Sequence, residues 1–195
     1  MIRVVLVRAG EKYGPEFVTA LLKQIGEQAE VVTLTDRDDT PGKTERLREG
    51  LEGWWAKLEL FSPRTSHLRP FLYLDLDSFV FGDLARLVRG EFTMVRDFSG
   101  WVPANSCAMW LPKDTQTIWD NFNAGRERHI KEAGGRGDQW FLGKHCKSFY
   151  EDGLVTSYKK ELEPRGVAMQ FHGYPKMPDV KTGWVAERWK KYAIV

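Results

Sequence analysis

A chain of 195 residues has room for one domain around a single sizeable core, and two full domains are not expected. Its 42% hydrophobic and 29% charged residues exclude global disorder, and a net charge of +2 excludes a bulk electrostatic pull toward nucleic acid or an anionic membrane. Any anionic ligand must therefore be held locally.

The chain opens with Ile2 to Val7, a short β-branched run. The apolar stretch Val4 to Val7 is broken by Arg8 and Gly10, far short of a signal-peptide core or an integral membrane segment, so the expected location is the cytoplasm. A helix follows from Pro15 to Gln28, with Phe17, Val18, Leu21, Leu22 and Ile25 at helical spacing and Pro15 in its first turn. Glu30 to Leu34 reads as a second strand, and the polar stretch Asp36 to Lys43 as a loop. This strand, helix, strand opening predicts an α/β domain with a mainly parallel central sheet.

Trp54, Trp55, Leu58 and Phe61 recur at helical intervals in GWWAKLELF, a helix expected to stop before Pro63 and to pack one face on the sheet. Phe71 to Leu76 is the most apolar strand, and Gly82-Asp83 reads as a turn with a helix cap. Weaker strands are expected at Glu91 to Val95 and Cys107 to Leu111. One helix capped by Asp114 is expected to Ile130, and a shorter one from Asp138 to Lys144. Past Leu154 the pattern supports only a strand at Val167 to Phe171 and a helix at Val185 to Lys191. Cys107 and Cys146 have no metal-type spacing and read as buried small apolar residues.

The residues with the most chemistry lie in FLYLDLDSFVF. Strand side chains alternate faces, so Asp75 and Asp77 are expected to project the same way while Leu74 and Leu76 fill the core. Like charges side by side oppose joint ionisation unless a cation neutralises them, and a hard divalent ion does so with oxygen ligands. The carboxyl end of a strand in an open parallel sheet is also where ligands bind. A second reading stands beside this one: one aspartate caps a turn and the other pairs with an arginine. Near the C-terminus, FHGYPKMP places the imidazole of His172, the permissive backbone of Gly173 and the ammonium of Lys176 within five residues. That segment has no apolar periodicity to anchor it, so its attachments are expected to be ligands.

FLYLDLDSFVFGDL resembles the metal-binding strand and turn of GT-A fold nucleotide-sugar glycosyltransferases, in particular the family of glycogenin and the bacterial lipopolysaccharide galactosyltransferases, glycosyltransferase family eight. The opening strand leading to Tyr13, the GWWAKLELF, NSCAMWL and DQWFL segments and HGYPKMP resemble successive motifs of that family, so the resemblance spans nearly all of 1–195 as one GT-A type, Rossmann-like domain. It implies a metal-dependent transfer of a sugar from a UDP-sugar donor to a hydroxyl of a glycan or other acceptor, with retained anomeric configuration. It implies further that Asp75, Asp77 and His172 ligate a divalent ion, manganese before magnesium. Lys176 and the Gly173 backbone would hold the diphosphate, and Ala9 and Tyr13 would border the base. Lys57 would be directed at the nucleotide sugar, with a solvated lysine on the polar side of its helix as the other reading. Asn105 and Ser106 would bind the sugar, and Asp138 and Gln139 would be the pair at the reaction centre, Asp138 also reading as a helix N-cap.

The sequence departs from the family at Arg8-Ala9-Gly10, where polar residues commonly read uracil, and at Cys107, where a glycine is common. Its short length predicts trimmed acceptor-binding elements. Two other functions are compatible with parts of the sequence. A haloacid-dehalogenase-type phosphatase also has an Asp-any-Asp strand, but on its first strand and with a later acidic pair that is missing here. A sugar-nucleotide-binding module would keep the site without transfer.

Overall fold

The structure, a computed structural model, describes residues 1–194. Its strands and helices in chain order are β1 (Ile2–Arg8), α1 (Pro15–Ile25), β2 (Ala29–Thr35), β3 (Lys43–Arg46), β4 (Phe71–Leu74), β5 (Ser78–Val80), β6 (Thr93–Arg96), β7 (Ala104–Leu111), α2 (Gln116–Asn123), α3 (Arg126–Ala133), α4 (Gly137–Gly143), β8 (Ser148–Phe149), β9 (Val155–Ser157), β10 (Ala168–Gln170) and α5 (Gly183–Ala193). Seven strands form the central sheet in the order β3-β2-β1-β4-β7-β6-β8, and β5-β10-β9 form a second, small sheet. In the large sheet β7 alone runs antiparallel to its neighbours β4 and β6, so the sheet is mainly parallel as expected.

The period-two pattern of β1 divides the core. Val4 and Leu6 point into a layer with Phe17, Leu21 and Ile25 of α1, against which α5 packs through Trp189 on Phe17. Val5 and Val7 point into the opposite layer with Leu58, Phe61 and Phe141. Each of these fully buried side chains contributes roughly 1.5–3 kcal/mol of transfer free energy, and together they fix β1 and β4 at the sheet centre.

Several boundaries differ from expectation. Gly53–Phe61 is a 3-10 segment, followed by another at Pro63–Leu68. From Trp55 to Phe61 every residue is buried, between the sheet and α2 and α4, so no polar face exists on which a helical stripe could be read. Lys43–Arg46 is an edge strand rather than the end of a loop, and its exposed KTER carries no apolar alternation. The expected helix from Asp114 is two helices broken at Gly125, and Thr115, not Asp114, stands at the N-cap of the first. Asp83 does cap the short 3-10 turn Leu84–Leu87, accepting from the Ala85 N–H at 2.8 Å.

The strand Phe71 to Leu76 ends at Leu74, and this shorter length positions the site. The Asp75 N–H still bonds to the Cys107 carbonyl of β7 at 2.8 Å, whereas the Asp77 carbonyl accepts from Phe171 at 2.8 Å on the small sheet. The two aspartates thus sit where the chain passes from one sheet to the other. The small sheet depends on Gly166, which has φ +73 and packs so closely on the 153–154 backbone that a Cβ would lie 2.2 Å from the Gly153 carbonyl oxygen. Gly166→Ala is expected to cost about 2–4 kcal/mol, combining left-handed strain with a backbone clash. Urea unfolding measures it, and a wild-type midpoint would show that the 153–167 contact relaxes freely.

Candidate functional site

Asp75 and Asp77 face one space. The Gln170 amide of β10 reaches both, at 3.4 Å from Asp75 Oδ2 and in close contact with Asp77 Oδ1, while its carbonyl accepts from Ser78 Oγ at 2.6 Å. Asp77 is 3% exposed and its Oδ2 accepts from Tyr13 Oη at 2.8 Å and from the Lys176 ammonium. Asp75 Oδ1 accepts from Tyr73 Oη at 2.5 Å and pairs with Lys57 Nζ at 2.9 Å. Loss of water raises the Asp75 carboxyl above its ordinary range, Lys57 opposes this and Asp77 adds to it. Burial and the two carboxylates likewise push the Tyr13 phenol up, so it stays protonated and donates. Neither aspartate caps a turn or pairs with an arginine; both partners are lysines.

The reading of Lys57 as a solvated lysine is overturned. Lys57 Nζ lies 3.0 Å from Ser106 Oγ of β7, 2.9 Å from Asp75 and 3.6 Å from Asp138 Oδ2, behind the Tyr73 ring. Burial works against its charge, but Asp138 and Asp75 more than offset that and raise it above the ordinary lysine range. Asp138 is not an N-cap: Arg136 holds that position, and Asp138 lies inside the first turn of α4, buried. Among the described residues its Oδ2 has no hydrogen-bond partner, a buried acceptor left open beside Lys57. Gln139, next in the chain, is half-buried and makes no side-chain hydrogen bond among the described residues, so it is free to engage a ligand. Asn105 accepts from the Cys107 N–H at 3.0 Å and donates weakly to Asp97 at 3.5 Å.

The segment Phe171 to Pro178 is tied down by protein contacts, contrary to the expectation that ligands alone would hold it. Phe171 and Met177 are buried, Lys176 Nζ reaches the Phe171 carbonyl at 2.8 Å as well as Asp77, and the Lys176 N–H donates to Asp179 at 2.8 Å. Isolated apolar residues at irregular spacing anchor it, which periodicity does not detect. Gly173 has φ +69, and a Cβ there would lie 2.8 Å from Lys159 Nζ. His172 stacks on Phe98 with centroids 5.5 Å apart and shares a 2.7 Å hydrogen bond with Ser157 Oγ. Burial, with Lys159 and Lys176 nearby, lowers its imidazole below the ordinary range, which favours the neutral form that ligates metals.

At the end of β1, Ala9 is partly buried and Tyr13 packs edge-on against Phe17 at 4.9 Å. Arg8 has a structural task that the sequence did not disclose. Its buried guanidinium binds Asp39 and Thr40 at 2.8 Å and the Tyr13 carbonyl at 3.0 Å, pinning two loops beside the site. Gln170 was also missed; it was visible as the lone polar residue in an apolar strand.

The donor chemistry at this junction fits a divalent cation. Two carboxylates converge on one space into which the Lys176 ammonium and the Gln170 amide already point, and burial holds the His172 imidazole below its ordinary range. Among the described residues no three His, Cys, Asp or Glu side chains are grouped so as to hold a metal ion, and His172 is hydrogen-bonded to Ser157 Oγ.

No family model and no curated protein matches this chain. Solved structures do. The glycosyltransferase GlyE of Streptococcus pneumoniae TIGR4 superposes with a TM-score of 0.75 at 19% identity, covering 100% of this chain, which spans 61% of the length of GlyE. An active-site mutant of LgtC superposes with a TM-score of 0.71 at 12% identity over 98% of this chain and 95% of its own. A glycosyltransferase involved in glycosylation of the major capsid of PBCV-1 gives 0.56 at 12% identity, with both chains fully covered. The chain therefore has the GT-A type fold expected from the sequence, and the motif strand is β4 at the sheet centre rather than a first strand. Among the described residues no helix is long and apolar enough to cross a membrane.

Proposed function

We propose that this chain is a glycosyltransferase that moves a sugar from a UDP-sugar to a hydroxyl of a glycan or other acceptor, with retention of configuration. The observation that carries it is the cluster of Asp75, Asp77, Lys57 and Asp138 at the carboxyl end of β4, inside a fold shared with glycosyltransferases. Asp75, Asp77 and His172 would hold a divalent cation, manganese in the first place and magnesium in the second. When bound, that ion supplies positive charge against the negative charge that builds on the departing diphosphate.

The chain's own residues do the rest. Tyr13 and Ala9 border the nucleotide, and Tyr13 Oη keeps Asp77 oriented. Gln170 holds the two carboxylates side by side and Lys57 opposes the rise that desolvation imposes on the Asp75 carboxyl. The open Asp138 Oδ2, with Asn105 and Ser106, gives acceptors for sugar hydroxyls, and Gln139 stands beside the reaction centre. Lys176, released from Asp77, contacts the diphosphate.

A thermal-shift panel of nucleotide sugars with and without manganese tests this reading. A UDP-sugar at 100 times its dissociation constant adds about 2.7 kcal/mol of native-state stability. Release of UDP from that donor, by transfer or by hydrolysis, separates an enzyme from a binding module. No stabilisation by any nucleotide sugar would overturn it. Lys176→Ala is expected to weaken UDP binding by roughly 1.5–3 kcal/mol with uridine binding nearly unchanged. Calorimetric titration of both ligands checks this, and equal losses would mean that Lys176 acts through the fold.

A further inference from the structure

Lys12 stands in the turn between β1 and α1, directly before Tyr13, and no role was read for it in the sequence. Its ammonium lies 5.0 Å from the centroid of the Tyr13 ring, and the Lys176 ammonium lies 5.7 Å from the same centroid. Two cations thus share one aromatic ring whose hydroxyl is bonded to Asp77. Lys57 and Lys176 are each taken by an aspartate, whereas among the described residues no carboxylate lies within ion-pair distance of Lys12. Asp77 and Asp75 attract Lys12 through space while Lys176 and Lys57 repel it.

An exposed lysine held near two other lysines without a partner of its own is an arrangement that an incoming anion would stabilise. The charges of the cluster indicate how much anion. Lys57 balances Asp138, and a divalent cation would balance Asp75 and Asp77. Lys176 is then released, which leaves Lys176 and Lys12 as two positive charges facing the donor. The diphosphate of a nucleotide sugar carries two negative charges at neutral pH. We propose that Lys12 is a second cationic contact to the donor diphosphate, acting from the β1–α1 turn while Lys176 acts from the C-terminal segment. This rests on the nucleotide-sugar reading above and adds to it a residue and a direction of approach: the diphosphate is held between the two ends of the chain.

The test is calorimetric titration of UDP, GDP and uridine in manganese at low ionic strength, for the wild type, Lys12→Met, Lys12→Arg and Lys176→Ala. Lys12→Met is expected to weaken UDP about two- to fivefold, the range for a solvent-accessible charge contact. Lys12→Arg is expected to stay within about twofold, uridine to be unaffected, and the Lys12→Met difference to shrink at high salt. UDP binding by Lys12→Met equal to wild type, with Lys176→Ala weakened, would overturn this proposal and leave the nucleotide-sugar reading intact. Equal losses of UDP and uridine would also overturn it, because charge would not be the cause. No binding of UDP or GDP by the wild type would remove the nucleotide-sugar reading and this proposal with it.

Discussion

Asp77→Asn is expected to abolish manganese-dependent UDP binding and to lower transfer at least about a hundredfold, the largest functional loss of any single change considered. The expectation follows from the number of groups that converge on this one carboxylate. Tyr13 Oη, the Lys176 ammonium and the Gln170 amide all donate to it. An asparagine removes the charge that would hold the cation, and its own amide then faces three donors with one acceptor oxygen. The fold should survive at a cost of about 1–3 kcal/mol, since one buried hydrogen bond is replaced by a donor facing a donor while the β4 and β10 backbone pairing is untouched. Circular dichroism establishes the fold and calorimetry measures UDP with and without manganese. A folded variant that binds UDP and manganese like the wild type would remove Asp77 from the site.

That Asp77 could be singled out from the sequence, and that its neighbours Gln170 and Lys12 could not, has a physical explanation. Asp77 lies in an apolar run with a second carboxylate two residues away, which marks it in the sequence, although β4 ends at Leu74 and the two aspartates meet in the turn after it rather than by strand alternation. Local pattern also recovers β1, α1 and β2: β1 and β2 are short β-branched runs buried on both faces, and α1 carries apolar residues at helical spacing on the face it packs against the sheet. Lys12 sits in a loop and meets Lys176 from the far end of the chain, a proximity that no local pattern encodes. β3 escaped because an edge strand with both faces exposed needs no apolar alternation. The helix expected from Asp114 to Ile130 escaped in the opposite way, since Gly125 breaks it within an otherwise continuous helical spacing.

Lys57 presents the sharpest contrast between composition and environment. A lysine between two apolar residues of a short segment reads equally well as solvated or as directed at a ligand, and only the tertiary placement of Asp75 and Asp138 on either side decides it. Because Lys57 and Asp138 are buried and Asp75 is only partly exposed, the cluster is not a free gain in stability; desolvation of the ions offsets much of the attraction. Removing the cation alone is a different matter. Lys57→Met keeps the apolar stem and leaves Asp75 and Asp138 facing each other without compensation, and the expected cost is about 3–5 kcal/mol, the largest stability effect of the changes considered. The pH dependence identifies the cause. Burial already raises the Asp75 carboxyl, and without Lys57 it rises further, so the folded variant binds more protons than its unfolded chain. Its stability should therefore increase relative to wild type as pH falls through the ordinary aspartate range toward acid, and worsen as pH rises to neutral. Adding Asp138→Asn to Lys57→Met should recover part of the loss by removing one of the two stranded charges, with a coupling of about 0.5–3 kcal/mol. Urea unfolding of the four proteins at pH 5 and pH 7 measures all of this. A Lys57→Met protein as stable as wild type at pH 7 would mean that Asp75 and Asp138 do not depend on Lys57, and that water reaching the partly exposed Asp75 compensates the lost charge.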